Sequence, residues 1–321
     1  MRRKKEILKN LNKKKIVVLK GGWSSERKVS LKTGENIKNA LKSLGLRVVG
    51  LDLKKDFFEK LKRIKPDICF IALHGSPGED GVLQGALELL KIPYTGSGVL
   101  ASALSFNKVF SKIIFEKFGI LTPKWISITR DSFHSGIISK RIPFKFPVVV
   151  KPVSQGSTIG ISIVQNQKGL KDAIILAFKY DRQVLVEEYI KGREITVSIL
   201  EDKSLPVIEI IPVKSSFYDY KAKYQKGGSE HIIPAKISKK IYSQCQKIGI
   251  SVHKALGCES FSRVDMRLRK NGEIFVLEIN TIPGMTSMSL LPDAAKFAGI
   301  DFQEMISRIL NYTLKKYKAL H

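Results

Sequence analysis

Residues 261–280 read FSRVDMRLRKNGEIFVLEIN, and this stretch decides how the second half of the chain can fold. The pair Asn271-Gly272 lies between two runs of alternating apolar and polar residues. An Asn-Gly pair in that setting is a strong signal for a two-residue hairpin turn of type I′, because both positions need positive φ. The sequence therefore predicts an antiparallel hairpin whose register is set by its turn.

The predicted register places two carboxylates opposite each other. With a two-residue turn, Asp265 pairs with Glu278 and Arg263 pairs with Asn280, and directly opposed side chains lie about 5 Å apart. Like charges at that distance are destabilising unless a cation compensates them. Two carboxylates and the amide oxygen of Asn280 form a hard-oxygen ligand set that suits Mg²⁺ or Mn²⁺, with phosphate oxygens completing the shell. The other face is the predicted core face, with Val264, Met266, Leu268, Phe275, Leu277 and Ile279.

Arg263 and Lys151 each allow a functional and a structural interpretation. Arg263 could provide a fixed cation for negative charge that develops in a reaction, or it could pair with a carboxylate at an exposed hairpin end. Lys151 follows the apolar run 146–150 and could bind phosphate as a point charge, or it could end a strand in solvent. The N–H groups of the loop 155–160, rich in Gly, Ser and Thr, could cradle phosphate, although an ordinary turn has the same composition.

Four further polar residues also allow either a functional or a structural interpretation. Glu187 and Glu194 flank a partly apolar segment and could receive the amine and hydroxyls of a nucleoside, or they could be solvated surface residues. Glu26 stands in the first turn of a predicted helix, where it could hold a substrate ammonium or compensate the helix dipole. His74 opens the loop HGSPGEDG (74–81) after a predicted strand, and loops at that end of strands host ligands in open α/β sheets.

The first part of the chain alternates predicted strands and helices. Strands are predicted at 16–19, 47–51 and 68–73, a helix from Ser24 as its N-cap to about Leu44, and another helix over 56–63. This alternation is typical of an open α/β sheet, here covering roughly the first 95 residues. The polar and basic residues 1–15 precede it as a frayed or helical extension.

The rest of the chain mixes strands and helices without that alternation. One helical stretch is predicted over 97–118, and residues 214–231 are polar, with three tyrosines and no clear period. A loop of that length is usually a functional lid or disordered. Strands are predicted at 148–151, 161–164, 184–188, 194–200 and 207–212, and helices at 168–179, 237–256 and 301–318.

The charge of the chain is unusual. Lys and Arg number 56 against 29 Asp and Glu, which gives a formal net charge of +27. Such a charge could indicate a polyanionic partner, either nucleic acid or an anionic membrane. The basic residues are nevertheless spread along the whole chain, with runs only at 2–5 and 13–15. We interpret the charge as a lysine-rich compositional bias, and we expect neither a specific nucleic acid nor a membrane as partner.

Two further patterns bear on the compartment. No apolar run approaches the ~18 residues of a membrane span, and the run 16–19 is too short for a signal-peptide core of ~7–15 residues. Cys69, Cys245 and Cys258 are scattered and include no CxxC pair, so they predict neither a zinc site nor a disulfide framework. Free thiols fit a reducing compartment, and we expect a cytoplasmic protein.

Eight ordered segments resemble D-alanine–D-alanine ligases, which are ATP-grasp carboxylate–amine ligases. The resemblance runs from about Ile16 to Leu310, so it covers nearly the whole chain. The segments are GGWSSERKVS (21–30), HGSPGEDG (74–81), YTGSGVLASALSFNK (94–108), VVKPVSQGSTIG (149–160), VEEYIKGREITVSIL (186–200), FYDYKAKY (217–224), SRVDM (262–266) and LEINTIPGMTSMSLLP (277–292).

The resemblance implies an ATP-grasp fold of mixed α/β and α+β class. After the basic extension 1–15, it implies an N-terminal substrate-binding α/β domain at 16–96. A central ATP-grasp subdomain at 97–188 and a C-terminal catalytic subdomain at 189–321 follow, and the loop 214–231 is expected to be a lid.

The resemblance also implies roles for the matching residues. Glu26 is expected to bind the ammonium of the first D-alanine, Arg263 and the Gly284 N–H to form an oxyanion hole, and Ser289 and Leu290 to receive the second D-alanine. The full catalytic set is Glu26, Ser157, Tyr224, Arg263, Gly284 and Ser289, and the substrate set is Glu26, His74, Ser289 and Leu290. The ATP set is Lys108, Lys151, Glu187, Glu188, Ile190, Glu194 and Lys223, and two Mg²⁺ (or Mn²⁺) fall to Asp265, Glu278 and Asn280.

The implied reaction joins two D-alanine molecules through an acylphosphate at the expense of ATP, for peptidoglycan precursor synthesis, and the implied assembly is a homodimer. A ligase that makes D-alanine–D-serine or D-alanine–D-lactate is the first alternative, and Tyr224 favours two amino acids. The D-alanine-specific segments argue against a different ATP-grasp enzyme. A basic nucleic-acid-binding protein would need a clustered basic face with interleaved aromatic residues, which the sequence does not contain.

Overall fold

The computed structural model describes residues 2–134, 142–156, 159–213 and 228–320. The N-terminal part contains α1 (Arg2–Leu11), β1 (Lys15–Lys20), α2 (Arg27–Ser43), β2 (Arg47–Asp52), α3 (Phe57–Ile64), β3 (Ile68–Ile71) and α4 (Val82–Leu89). The middle part contains α5 (Val99–Phe106), α6 (Lys108–Lys117), β4 (Trp125–Thr129), α7 (Arg130–His134), β5 (Val148–Pro152), β6 (Ser162–Val164), a 3-10 turn (Gln167–Gly169), α8 (Leu170–Ala177) and β7 (Gln183–Glu188). The last part contains β8 (Arg193–Leu200), β9 (Lys203–Ser204), β10 (Ile208–Pro212), β11 (Ser229–Ile232), α9 (Lys239–Ala255), β12 (Phe261–Leu268), β13 (Ile274–Asn280), α10 (Leu290–Phe297) and α11 (Phe302–Leu320).

The N-terminal sheet is parallel, with strand order β2-β1-β3. Its central strand β1 is an apolar, β-branched run whose residues 16–19 are fully buried, as expected for a strand covered on both faces. The predicted strand–helix alternation of this region is confirmed. Parallel strands direct their carboxyl ends to one edge, so the loops that follow β1 and β3 lie side by side there.

The predicted extension at the N-terminus is a helix that belongs to the core. Ile7 and Leu11 of α1 are buried in the same apolar cluster as Ile306, Ile309 and Leu310 of α11. The two helices pack together because each presents an apolar stripe at helical spacing. Among the described residues, no helix combines the length and the apolar composition that crossing a bilayer requires.

Two antiparallel sheets follow, and the second of the two clefts described below lies between them. The first has the order β4-β7-β5-β6 and is covered by α8, while the second has the order β11-β10-β8-β12-β13, with β9 added to β8. Helix α9 covers the second sheet through an apolar face that includes Cys245 and Val252. All three cysteines are unpaired and buried, as the absence of a disulfide pattern predicted.

Two helix predictions are wrong in detail. The single helix predicted over 97–118 is divided into α5 and α6 at Asn107, whose side chain accepts hydrogen bonds from Val109 N and Phe110 N at 3.1 and 3.2 Å. Asn107 is therefore the N-cap of a new helix. Ser24 does not cap α2, because the helix begins at Arg27 and Glu26 occupies the N-cap position. The Ser24 hydroxyl donates to the His74 carbonyl at 2.6 Å and accepts from Glu26 N at 3.2 Å.

The β12–β13 hairpin has the predicted pairing at its far end, around Asp265 and Glu278, but a different turn. Asp265 pairs with Glu278 and Arg263 with Asn280, as predicted. The two-residue turn is wrong: Gly272 N donates to Arg269 O at 3.0 Å around a three-residue loop, and Gly272 takes a φ of 91°. A β-bulge between Asp265 and Met266 then restores the register that the longer loop had shifted.

The core face of the hairpin needs a matching correction. Val264, Met266, Leu268 and Ile279 lie in the core as predicted, together with Ile274 and Val276. Phe275 and Leu277 lie on the opposite face of the hairpin. Phe275 is buried with its ring centroid 4.5 Å from the Arg269 guanidinium carbon, and Leu277 lines the cleft. A one-residue shift turns each side chain to the other face, and here the shift holds only between the loop and the bulge.

Candidate active site

Two adjoining clefts contain every predicted site residue that the structure describes. The first encloses about 850 Å³, including its mouth, and is lined by Glu26, His74, Lys108, Arg263, Glu278, Asn280, Gly284, Ser289 and Leu290 among others. The second encloses about 740 Å³ and is lined by Lys151, Glu187, Glu188, Ile190, Glu194, Asp265 and Glu278 among others. Glu278 lines both clefts, so the predicted oxygen ligands lie where the clefts meet.

The three residues predicted to supply metal-binding oxygens make several polar contacts with their neighbours. Arg263 donates to both carboxylate oxygens of Asp265, from Nε at 2.8 Å and Nη2 at 2.7 Å. Thr196 Oγ1 donates to the same carboxylate at 2.7 Å. Lys108 Nζ lies 3.5 Å from Glu278 Oε2, and Asn280 Oδ1 accepts from Ile282 N at 2.8 Å. Arg263 is thus paired with a carboxylate, as its structural interpretation predicted. It also lines the first cleft, as its functional interpretation requires.

The donor chemistry at this junction is oxygen only. The described residues contain no group of three or more His, Cys, Asp or Glu side chains placed to hold a metal ion. Asp265 and Glu278 supply two carboxylates and Asn280 a neutral oxygen, so a hard divalent ion here needs additional oxygens from a ligand. A carboxylate offers about four lone-pair sites, so the contacts from Arg263 and Thr196 leave acceptor capacity on Asp265.

A Lys–Glu–Lys cluster is buried at the base of the second cleft. Glu187, only 3% exposed, lies 2.5 Å from Lys151 Nζ and 2.9 Å from Lys112 Nζ. Burial alone would raise the pKa of Glu187, but the charges of Lys112 and Lys151 lower its pKa below the usual value. Burial lowers the pKa of Lys112 to about 8, and Lys112 also donates to Thr122 Oγ1 at 2.7 Å.

The second cleft is apolar between two polar ends. Val149, Ile161, Ile163, Ile190 and Leu277 form its apolar lining. Lys151 and Glu187 supply one polar region, and Glu194 supplies another with Arg267, whose Nη2 lies 2.8 Å from the Glu194 carboxylate. A flat heterocycle fits an apolar slot with a few placed polar groups.

The first cleft is built around Glu26, which the β1–α2 loop presents. Arg27 fixes that loop by donating to the Gly22 carbonyl at 2.8 Å and by pairing with Asp52 at 2.6 Å. Glu26 is 5% exposed and faces Gly156 of the glycine-rich loop, where a Cβ atom would lie 2.6 Å from Glu26 Oε2. Any larger residue at Gly156 would therefore collide with the carboxylate.

His74 belongs to a polar network behind Glu26. The network includes Glu79, which was not predicted from the sequence as a site residue. The Nε2 atom of His74 is hydrogen-bonded to Thr33 Oγ1 at 3.1 Å, and its Nδ1 lies 3.8 Å from Glu79. Burial alone would lower the pKa of His74, but the carboxylate of Glu79 raises its pKa above the usual value. Burial raises the pKa of Glu79. Glu79 of the loop 74–81 thus helps to orient the histidine.

The far wall of the first cleft comes from the segment after β13. Ser289 Oγ accepts from Thr286 N at 3.0 Å and is hydrogen-bonded to Thr286 Oγ1 at 2.9 Å. A Cβ atom at Gly284 would lie 2.9 Å from Ser289 Oγ, so Gly284 and Ser289 are close neighbours. Leu290 is buried at the start of α10.

Three predicted residues lie outside the described residues: Ser157, Lys223 and Tyr224. The same holds for most of the predicted lid, because residues 214–227 are not described. The strands on either side of that segment pair with each other, Pro212 opposite Ser229, so its two ends lie side by side.

Four residues of the site were missed by sequence reasoning: Glu79, Lys112, Thr196 and Arg267. A signal existed for two of them. Lys112 follows Lys108 by four residues, which places both on one face of a helix. Arg267 continues the alternation of Arg263 and Asp265, so it shares their face of the strand. No local pattern marked Thr196, which reaches Asp265 only through strand pairing.

Known proteins match the chain over nearly its whole length. The family model described as D-ala D-ala ligase C-terminus matches residues 114–311, and the model described as D-ala D-ala ligase N-terminus matches residues 52–97. A D-alanine–D-alanine ligase from Aquifex aeolicus (strain VF5) is 49% identical over 298 residues, which cover 92% of this chain and 99% of that protein.

Solved structures agree with these matches. A D-alanine–D-alanine ligase from Bacillus anthracis complexed with ATP has a TM-score of 0.81 and 35% identity, covering 95% of this chain and 99% of that one. A D-Ala:D-Ser ligase from Enterococcus faecalis has a TM-score of 0.80 and 31% identity, covering 94% and 99%. The predicted ATP-grasp fold is confirmed, and the chain belongs to the D-alanine–D-alanine ligase family.

Proposed function

We propose that the chain joins two molecules of D-alanine into D-alanyl-D-alanine, a peptidoglycan precursor, and converts ATP to ADP and phosphate. The observation that carries this proposal is the meeting of the two clefts at Glu278. A nucleotide in the second cleft and an amino acid in the first would meet there, beside two carboxylates and Lys108. Membership of the ligase family and the ATP complex of the Bacillus anthracis relative support the assignment.

The second cleft is proposed to hold ATP. Its apolar lining suits adenine, and Glu187 can accept a hydrogen bond from the adenine amine while Lys112 and Lys151 keep it ionised. Lys108 of the first cleft and Lys151 of the second are proposed to bind phosphate oxygens, and Glu188, Ile190 and Glu194 are proposed to contribute to the nucleoside pocket. The proposed contacts of Lys223 and Tyr224 lie outside the described residues.

Asp265, Glu278 and Asn280 are proposed to hold two Mg²⁺ or Mn²⁺ ions together with phosphate oxygens. Their oxygen-only donor set fits such ions, and both clefts reach it. Divalent ions there would offset negative charge on the transferred phosphoryl group. We expect EDTA to abolish phosphate release and added Mg²⁺ to restore it, and activity in EDTA equal to that in Mg²⁺ would contradict this assignment.

The first cleft is proposed to hold both amino acids. Glu26 would bind the ammonium of the first D-alanine, while His74, ordered by Thr33 and Glu79, supports that wall. A free carboxylate resists attack by an amine, so it has to be activated first. Transfer of the γ-phosphoryl group of ATP to the carboxylate of the first D-alanine gives an acylphosphate and ADP. The amine of the second D-alanine, placed by Ser289 and Leu290, then attacks the carbonyl carbon and phosphate leaves.

Two groups are proposed to stabilise the tetrahedral intermediate of that attack. The Arg263 guanidinium and the Gly284 N–H both line the first cleft, beside the position proposed for the second substrate. Removing one such donor typically costs about 10²–10³ in rate, because preformed donors need no reorganisation when charge develops. Asp265 holds the guanidinium by two hydrogen bonds and so fixes its direction.

The choice of second substrate is the main alternative. The D-Ala:D-Ser ligase from Enterococcus faecalis has the same fold, so fold alone does not distinguish D-alanine from D-serine. The 49% identity to a D-alanine–D-alanine ligase favours D-alanine. The decisive assay is phosphate release from ATP and Mg²⁺ with D-alanine, L-alanine, D-serine, D-lactate or RNA, added singly and then each with D-alanine. We expect D-alanine alone to support turnover, and stimulation by RNA or inactivity with D-alanine would contradict the proposal.

A homodimer is proposed for the assembly, as the family resemblance implies. Val82 and Leu89 of α4, Leu100 of α5 and Phe110 of α6 are between 53% and 88% exposed, although each helix packs against the next. A second copy covering this surface would remove those side chains from water. We expect Leu100→Asp to lower the mass measured by light scattering to that of one chain, and a wild-type protein that is already monomeric would contradict the proposal.

The proposed unit boundaries fall between the three sheets. The first unit (16–96) contains the parallel sheet, the second (97–188) the sheet of β4 to β7, and the third (189–321) the sheet around β8 and β12. Helix α1, proposed as a separate basic extension, packs on α11 of the third unit. A cytoplasmic location remains part of the proposal and follows from the substrates.

A further inference from the structure

We propose that Arg267 makes the enzyme prefer ribonucleotides over deoxyribonucleotides, by holding the Glu194 carboxylate toward the ribose hydroxyls. The inference rests on the proposed function, because it assumes that ATP occupies the second cleft. It assigns a positioning role to Arg267, which acts on the nucleotide through Glu194.

The contact between the two residues is built into the sheet. Arg267 on β12 pairs directly with Glu194 on β8, so their side chains stand next to each other on the cleft face. Arg267 Nη2 lies 2.8 Å from Glu194 Oε2, and Nη1 donates to the Gly192 carbonyl at 3.1 Å. The side chains are only 15% and 11% exposed, so solvent screens the pair weakly.

Residues along β12 form an ordered row that matches the parts of a nucleotide. Arg263, Asp265 and Arg267 alternate along one face, so successive members are about 6–7 Å apart. Asp265 lies at the junction of the clefts, where phosphate is proposed to bind. The next position, occupied by Arg267 and Glu194, is one sugar length further from the phosphates. Glu194 is therefore the carboxylate of this cleft best placed for the ribose.

A carboxylate distinguishes a sugar by accepting its hydroxyl protons. Such charge-assisted hydrogen bonds are about twice as strong as neutral ones, but only when the carboxylate is ionised and correctly directed. Arg267 supplies the direction, because its guanidinium lies against the Glu194 carboxylate and its second contact, to the Gly192 carbonyl, holds the guanidinium in place. Without Arg267, the Glu194 carboxylate loses this contact and can turn away from the sugar.

Arg269, the first residue after β12, offers a matched control. It forms a similar arginine–glutamate pair with Glu188, at 2.5 Å, and its guanidinium lies 4.5 Å from the Phe275 ring centroid. This pair links β12 to β7 at the edge of the cleft, beyond the position proposed for the sugar. Loss of Arg269 removes an ion pair of the same type without touching Glu194.

The test compares kcat/KM for ATP, 2′-deoxy-ATP and 3′-deoxy-ATP in the wild type, Arg267→Met, Arg267→Lys and Arg269→Met. A hydrogen bond to a charged group corresponds to about a tenfold to hundredfold change. We expect Arg267→Met to lose about that factor with ATP and no more than a few-fold with the deoxynucleotides, so the ratio of ATP to deoxy-ATP collapses. Arg267→Lys should retain part of the ratio, and Arg269→Met should leave it unchanged.

Each outcome decides the question. If Arg267→Met lowers kcat/KM equally for all three nucleotides, or changes none of them, Arg267 only braces the sheet and the inference is wrong. The ratio is measured within one variant, so partial loss of folded protein cancels from it, and thermal unfolding reports that loss separately. A wild type that shows no D-alanine-dependent phosphate release with ATP would instead overturn the proposed function.

Discussion

Arg263 is the single residue on which we expect catalysis to depend most. Its guanidinium lines the first cleft and is held by both oxygens of Asp265. We predict that Arg263→Ala lowers kcat by about 10²–10³ or more, because it removes a preformed donor for the oxyanion. Asp265 keeps its hydrogen bond from Thr196, so the protein should still fold.

Steady-state phosphate release and a melting curve on the same preparation check this prediction. Arg263→Lys serves as the control, because it restores the charge without the two-pronged geometry of the guanidinium. A kcat of Arg263→Ala within tenfold of the wild-type kcat would contradict the role assigned to Arg263.

Lys112 is predicted to matter for ATP binding although it does not line either cleft. It is fully buried and shares Glu187 with Lys151. In Lys112→Met, Lys151 is the lysine that remains paired with Glu187, and the two should bind each other more firmly. Both groups are then less available to ATP, so we expect a higher KM for ATP with a smaller change in kcat. Breaking a buried ion pair costs about 3–5 kcal/mol when a charge is left alone, and the remaining lysine should keep the loss below that range.

Urea unfolding and ATP titration of kcat separate the two effects of Lys112→Met. Lys117→Met, at an exposed position of the same helix, controls for loss of a positive charge. An unchanged KM for ATP in Lys112→Met would show that Lys151 alone suffices to place Glu187.

At the scale of elements, α9, β12 and the turn after β8 are joined through one buried histidine. His253 hydrogen-bonds with Ser262 Oγ at 2.7 Å and with Asp202 Oδ1 at 3.2 Å, and it is 1% exposed. The arrangement has the connectivity of a catalytic triad, but burial of His253 and Ser262 denies it a substrate, so we assign it to packing. Burial lowers the pKa of His253, although Asp202 opposes that shift.

The lowered pKa of His253 predicts a loss of stability in mild acid. As pH falls through 6.5, the unfolded chain takes up a proton at this histidine while the folded chain does so only at a lower pH. The unfolded state therefore binds more protons in that window, and the free energy of unfolding decreases as pH falls. We expect the melting temperature of wild type to drop between pH 7 and pH 5.5 more steeply than that of His253→Gln.

The comparison with His253→Gln is needed because His74 acts in the opposite direction. Its raised pKa adds stability as pH falls from above its folded pKa, and this contribution is common to both proteins. Parallel pH profiles of the two melting temperatures would exclude a role for His253.

At the scale of the whole molecule, the N-terminal helix is predicted to be part of the fold rather than an appendage. Leu11 is completely buried against α11, which lies at the other end of the chain. We predict that Leu11→Ala lowers the free energy of unfolding by about 2–5 kcal/mol, the usual cost of a large-to-small change in a core.

Urea denaturation of Leu11→Ala, with the exposed Lys9→Ala as control, measures this cost. Equal midpoints for the two variants would mean that α1 is only loosely attached. A lower midpoint for Leu11→Ala than for Lys9→Ala would show that α1 is held by its apolar side chains and not by its basic charge. That result would agree with the spread of lysines along the chain.

How much the sequence could predict differs between residues of the same hairpin. The pairing of Asp265 with Glu278 was predicted from an incorrect turn, because a longer loop and a β-bulge shift the register in opposite directions and cancel. Phe275 and Leu277 lie between the two shifts, and for them the predicted face is wrong. Hydrophobic alternation cannot reveal a bulge, since the bulged residue Leu277 is itself apolar.

The sequence by itself determined the family, the strand–helix alternation of the first sheet and the pairing of Asp265 with Glu278, because these depend on local pattern and on residue type. Only the tertiary structure decided the partners of Glu187 and Glu194 and the buried place of α1. Lys112 and Arg267 reach those carboxylates from other helices and strands, across distances in the chain that no periodicity spans. Contacts of that kind form only when separate elements pack, and packing depends on the whole set of side chains at once.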